Sequence, residues 1–259
     1  MAVLTLPTPA ADTLAGRVIV ITGAAGVLGK VAAKACAASG AKVVLLDKNI
    51  PALEAVYDEI QAEVPNAQPA IFPLDLLGAT PEHYQQLAQT LEEHYGKLDG
   101  LLHNAALLEF LEPIACLAPE RWFSSLQVNL NAPFLLTRNL LPLLQKSEEA
   151  SIVFTSDSSA RKSQAYWGAY GVSKVALESF ARILAQEWQA NGKLRSNILI
   201  PGPVRTPLRH RAFPAESKKD LTDANSLVKL YVYLFSSQSR EMTGETFIFQ
   251  DEDHVLRSR

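Results

Sequence analysis

The chain alternates between short continuous apolar runs and longer stretches with helical spacing. Val18-Ile19-Val20-Ile21 is β-branched at every position, the pattern of a strand buried on both faces. Glycines follow it, then Val27, Leu28, Val31, Ala32 and Ala35 at helical intervals. Val43-Val44-Leu45-Leu46, closed by Asp47, predicts a second buried strand, and Pro51 opens the next helix. Further strands are expected at 70–74, 98–103, 151–155, 194–200 and 246–249, with helices at 81–95, 119–146, 168–190 and 222–235. Pro73 weakens one strand, and Pro142 bends a helix or marks its last turns. Strands that alternate with helices imply right-handed crossovers and a parallel sheet covered on both faces. The expected fold is α/β: one Rossmann-like, doubly wound domain of about seven strands over residues 16–250. An N-terminal extension covers 1–15 and a tail covers 251–259.

Composition narrows this picture a little. The 259 residues are 48% hydrophobic and 20% charged, ample for one large core. A net charge of −3 and the lack of a basic stripe disfavour nucleic acid and anionic membrane as partners. Cys36 and Cys116 have no metal-ligand spacing and read as buried free thiols, so no metal is expected. The N-terminus lacks the basic region of a secretory signal, and no apolar run is long enough for a bilayer. A cytoplasmic protein is expected.

Two features carry chemistry. The first is the loop Thr22 to Gly29, set between a buried strand and a helix. Gly23 permits a tight turn, small residues at 24–26 let a pyrophosphate approach, and Gly29 allows close helix–sheet packing. Gly23, Ala25, Gly26, Val27, Leu28 and Gly29 are the loop's candidate dinucleotide contacts. Asp47 stands where a carboxylate can accept bonds from the adenosine ribose and would repel a 2′-phosphate. NAD(H) is therefore expected over NADP(H), with Lys48 softening the preference. The second feature is Tyr170-Gly171-Val172-Ser173-Lys174, which puts a phenol and an ammonium on one helical face. A cation near a phenol lowers its pKa and makes it a proton-exchanging group.

Together these motifs resemble the short-chain dehydrogenase/reductase superfamily, over about residues 16–249. The wording around Asp75, Asn104 and Tyr170 is most similar to its bacterial YciK-like oxidoreductases. Asp75-Leu76 matches the family's adenine pocket, and His103-Asn104-Ala105-Ala106 its Asn-Asn-Ala-Gly motif. Asn129 matches its active-site asparagine. Pro201-Gly202-Pro203-Val204-Arg205-Thr206 resembles its Pro-Gly motif at the nicotinamide end. The resemblance implies hydride transfer between a nicotinamide and a carbonyl/alcohol pair. Tyr170 would be the general acid/base, and Lys174 would tune it and bind the ribose. Asn129 would hold a relay water. Asp75, Leu76, Asn104, Ala105, Pro201, Gly202, Val204 and Thr206 would contact the cofactor. A small-molecule substrate would lie under the loop at about 205–221, whose basic residues read as a solvated mobile lid. A homodimer or homotetramer would form through the helices at 119–146 and 168–190.

The chain departs from the family at one chemical position. The family places a serine thirteen residues before its tyrosine, and here that position is Asp157, within Thr155-Ser156-Asp157-Ser158-Ser159. Three outcomes stay open. Ser158, or less so Ser156, takes the polarising role through a one-residue shift. Asp157 acts as a protonated acid. Or catalysis is vestigial and the protein is a dinucleotide-binding sensor or scaffold. Smaller departures are the second glycine at Gly26 rather than position 27, Ala106 in place of a glycine, and Gln250-Asp251-Glu252-Asp253 after the last strand.

Overall fold

The structure is a computed structural model and describes residues 1–190 and 192–258; the last residue of the expected tail lies outside them. Among the described residues, nine strands form one sheet in the order β1-β9-β8-β7-β6-β5-β2-β3-β4. The seven from β8 to the edge strand β4 are parallel: β2 (Val18–Thr22), β3 (Lys42–Asp47), β4 (Ala70–Pro73), β5 (Gly100–His103), β6 (Ala150–Thr155), β7 (Leu194–Ile200) and β8 (Thr246–Phe249). Every residue of β2, β6 and β7 is buried, as continuous apolar runs require of strands covered on both faces.

Helices α1 (Val27–Ala38), α2 (Ile50–Glu63) and α9 (Val228–Phe235) pack on one face. Helices α3 (Pro81–Tyr95), α5 (Ala132–Gln145) and α7 (Gly168–Trp188) cover the other. Each fully buried aliphatic side chain in these layers contributes about 1.5–3 kcal/mol. Short helices α4 (Pro119–Leu126), α6 (Ser158–Arg161) and α8 (Pro207–Ala212) lie at the carboxyl ends of the strands.

Four differences from the expected elements matter. The terminal segments add β1 (Ala2–Thr5) and β9 (His254–Ser258), paired antiparallel to each other, with β9 also antiparallel to β8. Asp251 makes that return possible, since its Oδ1 accepts the N–H groups of Asp253 and His254. The single helix expected over 119–146 is instead α4, a π-helical turn at Gln127–Asn131, and α5. Cys36 is buried as expected, but Cys116 is exposed. The 205–221 loop is not simply solvated: it contains α8 and an Arg209–Glu216 ion pair at 2.6 Å. Among the described residues, no helix is long and apolar enough to cross a membrane.

Candidate active site

A cleft of about 480 Å³ opens at the carboxyl ends of the parallel strands. The sheet order reverses direction between β5 and β2, the place where open α/β sheets bind ligands. All the expected cofactor contacts line the cleft except Ala25 and Gly29.

Gly29 acts from beneath. A Cβ there would lie 2.1 Å from the Gly23 carbonyl oxygen, so only glycine lets α1 start so close to the turn. Gly23 has φ +65°, and a Cβ on it would meet the Ala105 backbone at 2.9 Å. Gly26 begins α1, and no side chain caps it. The first N–H groups of a helix have no partners within it, so this end is built for an anion. Thr22 joins the two halves of the wall: its Oγ1 accepts the N–H groups of Asn104 and Ala105 and donates to the Leu102 carbonyl. These residues fit a pyrophosphate-bearing dinucleotide.

Asp47 is engaged differently from the expectation. Its Oδ2 accepts the Ala25 N–H at 3.2 Å and its Oδ1 accepts the Asn49 N–H at 3.1 Å. The carboxylate thus braces the glycine loop, and exposed Lys48 stands beside it on the cleft wall.

At the other end, β6 and α7 bring the reactive groups together. Tyr170, Lys174 and Glu178 follow one another on the buried face of α7. Lys174 Nζ donates to the Thr155 carbonyl at 2.8 Å and lies 5.7 Å from the Tyr170 ring centroid. Asp157 ends the strand: its Oδ1 accepts the Ser159 N–H at 2.7 Å, and its Oδ2 accepts the Tyr170 hydroxyl at 3.3 Å. Ser156 turns away, donating to Glu178 Oε1 at 2.6 Å. Ser158 opens α6 and is not among the residues lining the cleft. The group within reach of the tyrosine hydroxyl is therefore Asp157.

The electrostatics invert one expectation. Burial, followed by the charge and hydrogen bond of Asp157, pushes the Tyr170 phenol well above its usual range. Burial lowers Lys174 to about 8, against the opposing pull of Asp157 and Glu178. The lysine, not the tyrosine, titrates nearest neutrality, because burial disfavours the charged form of each and the Asp157 carboxylate adds to the rise of the phenol.

Asn129 lies in the π-helical turn, fully buried and outside the cleft lining. Its Oδ1 accepts the Leu107 N–H at 2.7 Å, and its Nδ2 donates to the Leu107 carbonyl at 2.9 Å. Ser125 and Ser173 hydroxyls also lie within hydrogen-bond distance of Nδ2. The side chain holds the segment after β5 in place.

Sequence reasoning missed the cluster behind Asp157. Glu178 is bound by Arg161 at 2.7 Å and Arg182 at 3.2 Å, and both arginines also donate to Thr246 Oγ1. The signal available was Glu178 itself, one turn beyond Lys174 and one turn before Arg182. Trp167 and Tyr166 border a smaller cavity beside the main cleft.

The comparisons with known proteins agree on kinship. The short chain dehydrogenase family model matches residues 17–217. The oxidoreductase YciK of Escherichia coli (strain K12) is 44% identical over 92% of this chain and 94% of its own length. A short chain dehydrogenase from Shigella flexneri 2a, solved with NADP, is 44% identical with a TM-score of 0.89, covering 92% of this chain and 99% of that one. A counterpart from Escherichia coli CFT073, solved with NADPH, has the same identity and TM-score over 93% and 99%.

These two complexes overturn the NAD(H) expectation drawn from Asp47 and point to NADP(H). The physical reason lies in the contacts above. The Asp47 carboxylate is engaged with the glycine loop and the start of α2 through two backbone N–H groups, and the exposed ammonium of Lys48 on the same wall can meet a 2′-phosphate.

Proposed function

Because the chain belongs to the short-chain dehydrogenase family, we propose that it is an NADP(H)-dependent oxidoreductase acting on a small molecule held above Tyr170. One observation carries the reading: the glycine loop and the buried Tyr170–Lys174 pair line opposite ends of one continuous cleft. NADP(H), when bound, supplies or takes up a hydride at nicotinamide C4.

The protein's own groups do the rest. The free N–H groups at the start of α1 would hold the pyrophosphate, and Lys48 would meet the 2′-phosphate. Asn104, Ala105, Pro201, Gly202, Val204 and Thr206 enclose the cofactor along the cleft wall. Tyr170 Oη gives or takes the substrate proton, a role worth about 10²–10⁴-fold in rate. Lys174 supplies positive charge beside it and reaches toward the ribose. Asn129 is a positioning residue for the segment after β5. Asp157 stands where the reacting heteroatom must sit. The sensor or scaffold alternative gains nothing from this arrangement, since a mere binder needs no lysine buried beside a phenol.

Fluorescence titration and NADPH oxidation test the reading together. NADPH is expected to bind more tightly than NADH. Tyr170→Phe should bind NADPH as the wild type does but lose turnover by at least about a hundredfold. Failure of the wild type to take up either nucleotide would sink the proposal.

A further inference from the structure

We propose that the bond reduced in this cleft is a carbon–nitrogen double bond in its protonated, iminium form, and that Asp157 selects it. This rests on the oxidoreductase reading and narrows its substrate class.

The argument starts from charge. Both Asp157 oxygens accept hydrogen bonds, one from Ser159 N–H and one from the Tyr170 hydroxyl, the pattern of an ionised carboxylate. Hydride arriving at a ketone leaves negative charge on oxygen. A carboxylate within hydrogen-bond reach of the same phenol raises the energy of that charge. Hydride arriving at an iminium carbon cancels positive charge instead. A carboxylate there stabilises the cation that must exist before transfer. The same side chain obstructs one reaction and assists the other.

The surrounding wall points the same way. Glu109 lines the cleft beside the reacting end, and no basic side chain forms an ion pair with it or with Asp157 among the described residues. Three arginines of the basic loop that might have recruited an anion are engaged within the protein. Arg209 is held by Glu216 through two bonds of 2.7 and 2.6 Å. Arg205 and Arg211 donate to the carbonyls of Lys218 and Leu108. The Asp157 and Glu109 carboxylates line the cleft with the buried Lys174, whose ammonium donates to the Thr155 carbonyl, and two carboxylates against one ammonium fit a cationic, nitrogen-bearing ligand.

The step balances with groups already named. Tyr170 Oη gives its proton to a neutral imine nitrogen, or the imine arrives protonated. The hydride supplied by the reduced cofactor forms the new C–H bond. The C=N π pair becomes the nitrogen lone pair, and the products are an amine and oxidised cofactor. Proton return to Tyr170 runs from solvent past Lys174. A phenol pushed well above its usual range is a weak acid. An imine nitrogen, far more basic than a carbonyl oxygen, can still draw its proton.

A matched pair of probes tests this. With NADPH, kcat/KM for the cyclic imine 1-pyrroline should exceed that for cyclopentanone. On the NADP⁺ complex, cyclopentylamine should bind more tightly than cyclopentanol. Asp157→Asn should cut both preferences on the order of thirtyfold, as loss of one partner of a desolvated charge pair does, and leave NADPH affinity unchanged. Asp157→Ser should shift turnover toward the ketone. A wild-type preference for the ketone, equal binding of amine and alcohol, or a preference that survives Asp157→Asn would each overturn the inference. Absence of NADPH binding would instead remove the oxidoreductase reading, a separate result.

Discussion

The two ends of the cleft are built from different materials. The dinucleotide end is made of backbone: Gly23 at positive φ, Gly26 at the helix start and Gly29 against the Gly23 carbonyl. The reacting end is made of side chains: Asp157, Tyr170, Lys174 and, behind them, Ser156, Glu178 and Arg161. A backbone site depends on space and conformation, which few residues can supply. A side-chain site depends on which polar group wins each partner, and several choices can fit one fold. The first end tolerates almost no substitution. The second can be retuned one charge at a time.

The sharpest way to break this contrast is Gly29→Ala. One methyl group placed 2.1 Å from a carbonyl oxygen cannot be accommodated without moving the loop or the helix. NADPH binding, followed by fluorescence, should be lost. Retained binding would show that the backbone end is softer than its geometry indicates. No change at the reacting end is expected to cost cofactor binding to that degree.

This contrast also explains what the sequence disclosed. The glycine loop was legible because spacing alone specifies a turn, an anion-binding helix start and a close approach. The parallel strands were legible because runs such as 18–21 and 43–46 are unbroken and apolar, as strands buried on both faces are, and the remaining strands fell between helical stretches. The terminal strands β1 and β9 were not, since they are short and lack a long apolar run, and Ala2–Thr5 gains its pairing from the returning tail. The π-helical turn carries no periodic signature over five residues. At the reacting end, Tyr170, Lys174 and Asp157 were found by position, but their mutual effects were not. Spacing placed the ammonium near the phenol and implied a lowered pKa. It could not show that burial, with Asp157 3.3 Å from the hydroxyl, would reverse the shift. The role of Asp47 failed for a related reason, because sequence cannot show that a carboxylate is engaged with backbone N–H groups.

The inverted pKa order yields a second expectation. With Lys174 lowered to about 8, its charge is present below that pH and lost above it. Turnover with saturating substrate and NADPH should therefore fall as pH rises through about 8. Lys174→Arg, whose guanidinium stays charged, should remove that limb whatever its absolute rate. A profile flat to pH 10 in the wild type would mean that the ammonium plays no part in the rate.

The smallest effect concerns the support behind Asp157. Burial pushes the Glu178 carboxyl up, but hydrogen bonds from Arg161 and Ser156, with the charges of Arg161 and Arg182, outweigh it and leave the group below the usual carboxylate range. A carboxylate with a depressed folded pKa stabilises the fold above its unfolded value, and that contribution disappears as pH falls through the folded value. Glu178→Gln keeps the shape but removes the charge, and leaves two arginines without their partner. It should lower stability by about 1–3 kcal/mol at pH 7, measured by denaturant unfolding. The gap between variant and wild type should narrow as pH drops below the ordinary glutamate value of 4.5. Because Ser156 hangs from Glu178 and Asp157 follows Ser156, turnover should fall with it while NADPH affinity holds. Equal stability of the two proteins at pH 7 would show that the arginines find water as good a partner, and that α6 is held by something other than this cluster.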